Sequence, residues 1–187
     1  MKHIAIFASG KGTNAKAIID YFRNHPTINV ALVITNNPSA AVIKTAHENK
    51  IISAIISKQT LNNEEVLGKL LGALQIEFIA LAGFLQMVPE FLLKKFPKKM
   101  VNIHPALLPK HGGKGMYGIK VHEAVIASKE TETGMTIHYV NKHYDEGEII
   151  LQKKTLIETN DTAETLSAKV QTLEHDWYAK TIEGLLK

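Results

Sequence analysis

The chain has 187 residues, of which 45% are hydrophobic, a formal net charge of +4 and no cysteine. This length suits one sizeable core, and we interpret residues 1–187 as a single domain. The lack of cysteine excludes disulfides, a thiolate nucleophile and a cysteine-ligated zinc, and the dispersed positive charge argues against a nucleic-acid partner.

Signals for membrane insertion or export are missing from the sequence. No apolar run reaches the roughly 20 residues of a membrane span, and the N-terminus enters the first predicted strand without a secretory pattern. We therefore expect a cytoplasmic protein with no membrane partner. For the oligomeric state we expect a monomer or a weak homodimer.

Seven apolar segments with the length of strands alternate with helical patterns along the chain. The strands are predicted at residues 3–8, 29–35, 51–56, 77–82, 99–103, 134–141 and 148–155. The helices are predicted at residues 14–24, 40–49, 63–74, 89–95, 120–128 and 163–186. Asp161 and Glu164 predict a capping box at the start of the last helix.

This alternation of strands and helices predicts an α/β fold. We expect a doubly wound, mostly parallel, Rossmann-like sheet of about seven strands, with an antiparallel edge hairpin and a C-terminal helix. Ligands of such sheets bind beyond the carboxyl ends of the strands, where the strand order reverses. Residues 110–118 contain four glycines and predict a loop that moves or covers a site.

The turn after the first strand, Gly10-Lys11-Gly12-Thr13-Asn14, predicts an anion site at a helix N-terminus. It is not a Walker A loop, because Ala5 stands where that motif requires its first glycine. It matches the dinucleotide fingerprint loosely, but the second strand ends without the acid that would bind a ribose hydroxyl. We therefore predict a phosphate on a smaller molecule.

Asn102 and His104 end the fifth predicted strand, two residues apart, so their side chains leave on the same side. An amide donor and a charged imidazole suit a developing oxyanion, and Asp145, in the turn after the sixth strand, would keep His104 charged. Taken alone, each residue is better explained by an ordinary role: a turn cap, a half-buried histidine or a hairpin turn. Their joint placement favours a catalytic site.

Two further sets of polar residues have competing interpretations. Gln171 and Glu174 share one face of the last helix, where a sugar-binding pair and a solvated surface are equally supported. His138 and His143 are predicted to point to opposite faces, so we expect no metal site.

Five motifs together resemble one enzyme family. They are Gly12-Thr13-Asn14, Leu81-Ala82-Gly83-Phe84, Asn102-Ile103-His104-Pro105-Ala106-Leu107-Leu108-Pro109, Asp145, and Gln171-Thr172-Leu173-Glu174-His175. Over nearly the whole chain this set resembles the phosphoribosylglycinamide formyltransferase family, folate-dependent enzymes of purine synthesis. The Asn-x-His-Pro-x-Leu-Leu-Pro segment is typical of folate formyltransferases in general.

The resemblance implies transfer of a formyl group from 10-formyltetrahydrofolate, as co-substrate, to the amine of glycinamide ribonucleotide. It implies that the phosphate of the ribonucleotide lies on Gly12, Thr13 and Asn14, and that its ribose hydroxyls lie on Gln171 and Glu174. The N-terminal half of the domain would then bind phosphate, and the C-terminal half would carry the catalytic and folate-binding residues.

For catalysis, the resemblance implies that Asn102 and protonated His104 stabilise the tetrahedral oxyanion while Asp145 orients and charges His104. His138, on the strand that leads toward Asp145, has two interpretations: a residue that supports the site, and a packed strand histidine, which we favour. The resemblance also implies a set of residues that contact the folate, with Lys58 at its benzoyl-glutamate end. The other members of this set are Leu85, Gln86, Met87, Val88, Asn102, Asn141 and Tyr144.

The sequence departs from the family pattern at two places. Gln86 stands where an arginine is often found, and residues 110–118 form a longer, more glycine-rich loop. Two alternatives remain open, a formyltetrahydrofolate deformylase and a non-catalytic nucleotide or folate sensor. The deformylase and methionyl-tRNA formyltransferase share the catalytic segment, but each is expected to carry an extra domain for which this chain has no room.

Overall fold

A computed structural model describes residues 1–187. The strands are β1 (Lys2–Phe7), β2 (Ile28–Thr35), β3 (Ile52–Ile55), β4 (Ile76–Leu81), β5 (Met100–His104), β6 (Glu132–Tyr139) and β7 (Ile149–Leu156). The helices are α1 (Thr13–Phe22), α2 (Val42–Glu48), α3 (Lys58–Leu61), α4 (Glu64–Ala73), α5 (Glu90–Lys95), α6 (Ile119–Ala127) and α7 (Ala163–Leu185). Every predicted strand and helix is present, and the short helix α3 is additional.

The strands form one sheet in the order β3-β2-β1-β4-β5-β6-β7. Neighbouring strands from β3 to β5 pair in parallel, whereas β6 runs antiparallel to both β5 and β7. The predicted doubly wound, mostly parallel sheet with an antiparallel edge hairpin is confirmed. The strand order reverses between β1 and β4, and this crevice is where ligands of such sheets bind.

Strand β1 lies inside the sheet, which explains its unbroken apolar sequence. Ile4 and Ile6 pack on one face with residues of α1 and α7, and Ala5 and Phe7 pack on the other face with residues of α4 and α5. Because successive side chains of a strand alternate between faces, a strand covered on both sides is apolar throughout. None of the seven helices combines the length and apolar character needed to cross a membrane.

Helix α7 is fixed on one face of the sheet by Tyr178. Its buried hydroxyl lies 2.8 Å from the main-chain oxygen of Leu81 in β4 and 3.2 Å from that of Val101 in β5. A buried hydroxyl needs such a partner, because an unpaired one would lose its hydration without compensation. The contact therefore sets the position of α7 relative to the two strands beside the crevice.

The predicted capping box at the start of α7 is wrong. Thr162 is the N-cap, and its hydroxyl accepts from the Thr165 main-chain N–H at 3.3 Å, while the Thr165 hydroxyl accepts from the Thr162 N–H at 2.9 Å. Asp161 instead accepts from the main-chain N–H of Glu158 at 2.8 Å, in the turn before the helix. The N-cap is therefore Thr162, one residue later than predicted, whereas the helix itself begins at Ala163 as predicted.

Candidate active site

The turn between β1 and α1 presents main-chain N–H groups to the crevice. Gly12 has a φ of 72° and precedes α1, whose N-terminus has no side-chain cap and no acidic residue in its first turn. A Cβ on Gly12 would lie 2.8 Å from the Cβ of Val42, so only glycine fits. The unpaired N–H groups and the positive end of the helix dipole favour an anion here.

Two side chains of α7 contact this turn. Nε2 of Gln171 donates to Oγ1 of Thr13 at 2.9 Å, and Nδ2 of Asn14 donates to Oε2 of Glu174 at 2.9 Å. Glu174 is 8% exposed, so the solvated-surface interpretation is wrong for it. Burial raises the pKa of Glu174 to about 7, although the hydrogen bond from Asn14 acts in the opposite direction.

Asn102, His104 and Asp145 come together at the carboxyl end of β5. Nδ2 of Asn102 lies 3.3 Å from Oδ1 of Asp145, and Nδ1 of His104 lies 3.4 Å from Oδ2 of the same carboxylate. Asp145 has a φ of 56°, a conformation that few residues other than glycine adopt. The structure therefore brings together the three residues predicted for catalysis, which are 43 positions apart at most.

His138 is buried in β6, as expected for a packed strand histidine, and it also contacts the same cluster. In the antiparallel register His138 lies opposite Asn102. Its Nδ1 donates to the main-chain oxygen of Tyr139 at 2.9 Å, and its Nε2 lies 3.2 Å from Nδ2 of Asn102. Nε2 also lies 3.6 Å from Oδ1 of Asp145. His138 thus orients both the amide and the carboxylate.

Burial changes the expected charge of His104. The side chain is 4% exposed, and burial lowers its pKa below the usual value, although Asp145 and a hydrogen bond to the main-chain oxygen of His111 act to raise it. Desolvation therefore opposes the positive charge that Asp145 was expected to maintain on His104. Burial also opposes ionisation of Asp145, but His138, His104 and the Gly113 N–H together lower the pKa of that carboxyl.

The segment predicted to contact folate connects β4 to α5. Leu85 and Met87 are exposed, Val88 is buried, and Oε1 of Gln86 is buried without a hydrogen-bond partner. Exposed apolar side chains and an unsatisfied acceptor suit a flat ring system that carries N–H donors.

Ser9, which the sequence analysis did not single out, connects this segment to the turn of residues 10–14, the phosphate turn. Its hydroxyl accepts from the main-chain N–H of Leu85 at 3.0 Å and donates to Oδ1 of Asn36. Nδ2 of Asn37 donates to the main-chain oxygen of Ser9 at 3.2 Å. The end of β2, where a dinucleotide-binding fold carries an acid, therefore supports the turn instead. The sequence does carry a signal that could have identified Ser9, because it is a polar residue between a buried strand and Gly10.

The remaining predicted folate contacts differ in position. Asn141 and Tyr144 are half-buried in the loop that carries Asp145. Lys58 begins α3 after the edge strand β3, four strands away from β5. It lines a polar cavity of about 710 Å³ that includes none of the catalytic candidates. Lys58 is thus the predicted site residue that the structure places apart from the others.

Known proteins resemble this chain over almost its full length. Residues 2–182 match the formyl transferase family. A phosphoribosylglycinamide formyltransferase of Bacillus subtilis is 35% identical over 100% of this chain and 95% of its own length. A chloroplastic phosphoribosylglycinamide formyltransferase of Vigna unguiculata is 37% identical over 98% of this chain, which spans only 61% of that relative.

The fold is also similar to a solved structure. The crystal structure of phosphoribosylglycinamide formyltransferase from Bacillus halodurans is 38% identical, with a TM-score of 0.88 over 100% of this chain and 96% of that one. The family match, these relatives and the shared fold show that this chain belongs to the formyl transferase family.

Proposed function

We propose that this protein transfers the formyl group of 10-formyltetrahydrofolate to the amine of glycinamide ribonucleotide in de novo purine synthesis. One observation carries the proposal: Asn102 and His104 lie 3.3 and 3.4 Å from the Asp145 carboxylate, beside a helix N-terminus suited to phosphate. The names of the relatives in Bacillus subtilis and Vigna unguiculata support the same substrate.

For the ribonucleotide, we assign the phosphate to Gly12, Thr13 and Asn14 and the ribose hydroxyls to Gln171 and Glu174. The hydrogen bonds from Gln171 to Thr13 and from Asn14 to Glu174 join the two parts of this subsite. When ionised, the Glu174 carboxylate accepts from two adjacent hydroxyls, which a ribose provides and an isolated alcohol does not.

For the folate, we assign Leu85, Gln86, Met87 and Val88 to the pterin, with Asn102, Asn141 and Tyr144 on the catalytic side. The unsatisfied Oε1 of Gln86 offers an acceptor to a pterin N–H. The co-substrate supplies the formyl carbon and the leaving nitrogen. Lys58 remains a predicted partner for the benzoyl-glutamate end.

In the proposed reaction the ribonucleotide amine attacks the formyl carbon, and the carbonyl oxygen becomes an oxyanion held by Asn102 and His104. His104 has a lowered pKa, but an anion within a few Å raises the pKa of an imidazole. The ring therefore takes a proton from solvent water as the charge develops, and returns it to water when the oxyanion collapses to the new formyl carbonyl. Asp145, through water, takes the proton that the amine loses and returns it to the leaving nitrogen. No covalent enzyme intermediate is required.

We also propose that residues 1–187 act as one formyltransferase domain. Its phosphate subsite combines α1 with α7, so the two halves of the chain share this task. A cytoplasmic location, a monomer or weak homodimer, and small molecules as the only partners remain predictions.

The test mixes purified protein with glycinamide ribonucleotide and a 10-formylfolate and follows the deformylated folate by absorbance. We expect turnover that requires the ribonucleotide. Hydrolysis of the formylfolate without the ribonucleotide would indicate a deformylase. Ligand binding without turnover, unchanged in Asn102→Ala and His104→Ala, would indicate a sensor.

A further inference from the structure

The second ring nitrogen of His104 contacts the main chain of the glycine-rich loop. Nε2 of His104 lies 2.8 Å from the main-chain oxygen of His111. Because a carbonyl oxygen only accepts, Nε2 carries a hydrogen in this contact. Nδ1, which faces Asp145, is therefore the nitrogen that gains and loses a proton. The His111 carbonyl thus fixes both the tautomer and the plane of the ring.

The next two residues of the loop pack on the carboxylate of the same pair. The main-chain N–H of Gly113 donates to Oδ2 of Asp145 at 3.0 Å. A Cβ on Gly112 would lie 2.5 Å from Cδ2 of Leu108 and 3.2 Å from Cβ of Asp145, which leaves no room for a side chain. The first residues of the loop are therefore in direct contact with both His104 and Asp145.

This part of the loop is held from outside by Glu130, which lies between α6 and β6. Nζ of Lys110 donates to the two carboxylate oxygens of Glu130 at 2.9 and 3.1 Å. Nε2 of His111 lies 3.6 Å from Oε1 of Glu130 and is buried without any hydrogen-bond partner. Lys110 lowers the pKa of Glu130, so the carboxylate is ionised at neutral pH. One carboxylate thus fixes the two residues that precede Gly112.

We propose that Glu130 is a positioning residue for His104, which acts by holding the His111 carbonyl against Nε2. The inference rests on the proposed formyl transfer at this site. Glu132, two positions further along, provides a matched comparison. It pairs with Nζ of Lys154 at 2.6 Å on the surface, without a connection to the catalytic residues.

Loss of Glu130 is expected to affect the catalytic ring more than the fold. An exposed ion pair contributes little to stability, so the variant should fold normally. Without the carboxylate, residues 110 and 111 are no longer fixed, and the Nε2 hydrogen bond weakens. A weakened hydrogen bond to the protonated ring corresponds to about a tenfold loss of turnover.

The pH dependence of turnover separates positioning from a general structural role. The charged or titratable groups that act on His104 are Asp145, His138, His111 and His122, and a change at position 130 removes none of them. The His111 carbonyl stabilises the protonated ring, so its withdrawal lowers the pKa of His104 further. The pH profile of turnover should shift in the same direction.

The experiment compares Glu130→Ala, Glu130→Gln and Glu132→Ala with the unmodified protein. We measure kcat and both KM values from pH 5 to 9 and titrate the His104 ring by NMR. Glu130→Ala should lower kcat about tenfold with an unchanged ribonucleotide KM and a lower His104 pKa. Glu130→Gln keeps one acceptor for Lys110, so its kcat and its His104 pKa should lie between those of Glu130→Ala and the unmodified protein. Glu132→Ala should behave as the unmodified protein.

Equal kcat values and pH profiles for Glu130→Ala and Glu132→Ala would overturn the inference. The NMR titration keeps this outcome distinct from a failure of the proposed function. If the unmodified protein transfers no formyl group, the proposed function fails. In that case, an equal His104 pKa in Glu130→Ala and in the unmodified protein would reject the positioning role as well.

Discussion

The phosphate turn and the catalytic cluster lie on the same edge of the sheet, but they use different kinds of groups. The turn relies on main-chain N–H groups and the neutral side chains of Thr13, Asn14 and Gln171, with Glu174 of α7 as the buried ionisable group beside it. Lys11 of the turn is exposed. The cluster consists of the carboxylate of Asp145 and the imidazoles of His104 and His138 around one amide. Fixed dipoles suit the proposed phosphate, whose charge would stay constant during the proposed reaction. A reaction in which charge appears and disappears requires groups that titrate.

The largest effect is expected from removal of the amide in the catalytic cluster. Asn102→Ala should lower turnover by about a hundredfold or more, as the loss of other oxyanion donors does. Steady-state kinetics with both substrates measures the change. If turnover falls only a few-fold, and His138 keeps the same surroundings as in the unmodified protein, the role of Asn102 is contradicted.

A second prediction concerns Glu174, the buried carboxyl of α7 that accepts a hydrogen bond from Asn14 of the phosphate turn. Burial raises its pKa from 4.5 to about 7, so the folded chain retains this proton where the unfolded chain loses it. The free energy of unfolding therefore falls between about pH 4.5 and 7. Glu174→Gln lacks this penalty, and from pH 4.5 to 7.5 its stability should rise relative to the parent by about 2 to 3 kcal/mol. Urea denaturation at both pH values measures the difference.

Glu183, on the same helix, is the control for this measurement. Its pKa is lowered, chiefly by the hydrogen bond with Tyr21, so Glu183→Gln should show a pH dependence of opposite sign. The same sign for both variants would mean that the effect belongs to α7 as a whole. Glu174→Gln should also raise the KM for the ribonucleotide, because a neutral amide accepts fewer hydroxyls.

A third prediction compares two glycines of the phosphate turn. Gly12→Ala places a methyl group 2.8 Å from the Cβ of Val42 at a φ of 72°, and should cost about 1 to 3 kcal/mol of stability. Gly10→Ala meets no atom within 4 Å and has no positive φ, so its stability should change by less than about 0.5 kcal/mol. Thermal denaturation compares them, and similar losses would show that the turn adapts to side chains.

The smallest effect is expected from Gln171→Ala. It removes the hydrogen bond to Thr13 at 2.9 Å, which corresponds to about 1 kcal/mol, or about fivefold in the KM for the ribonucleotide. Turnover should not change, because Gln171 does not contact the catalytic cluster. A change in kcat rather than KM would indicate that the phosphate turn and the cluster are coupled.

Local patterns predicted most of the fold and named most of the candidate site. The buried strands were evident from apolar runs, and the phosphate turn from glycines between a strand and a helix. Helix α3 was missed because it spans four residues, Lys58–Leu61, too few for a helical period to be recognised. The cap of α7 was assigned one residue early, because Asp161, Thr162 and Thr165 all carry side chains that cap helices.

Within the site, the points that the sequence left open concern residues whose role depends on distant neighbours. His138 faces Asn102 only because β6 pairs with β5 in one register, which no spacing along the chain specifies. The His111 contact is made by a main-chain oxygen, so the identity of its side chain carries no signal. Lys58 was assigned from resemblance alone, and the structure leaves it four strands from β5.

The sequence alone determined the alternation of strands and helices, the candidate anion-binding turn, and the amide, imidazole and carboxylate of the candidate catalytic site. The tertiary structure decided the strand order, the place of His138 and His111 beside the candidate catalytic residues, and the directions in which burial moves the pKa values of His104 and Glu174. Periodicity and turn chemistry act between neighbours in the chain, so the sequence displays them directly. Desolvation and cross-strand register depend on which distant segments pack together, and these exist only in the folded molecule.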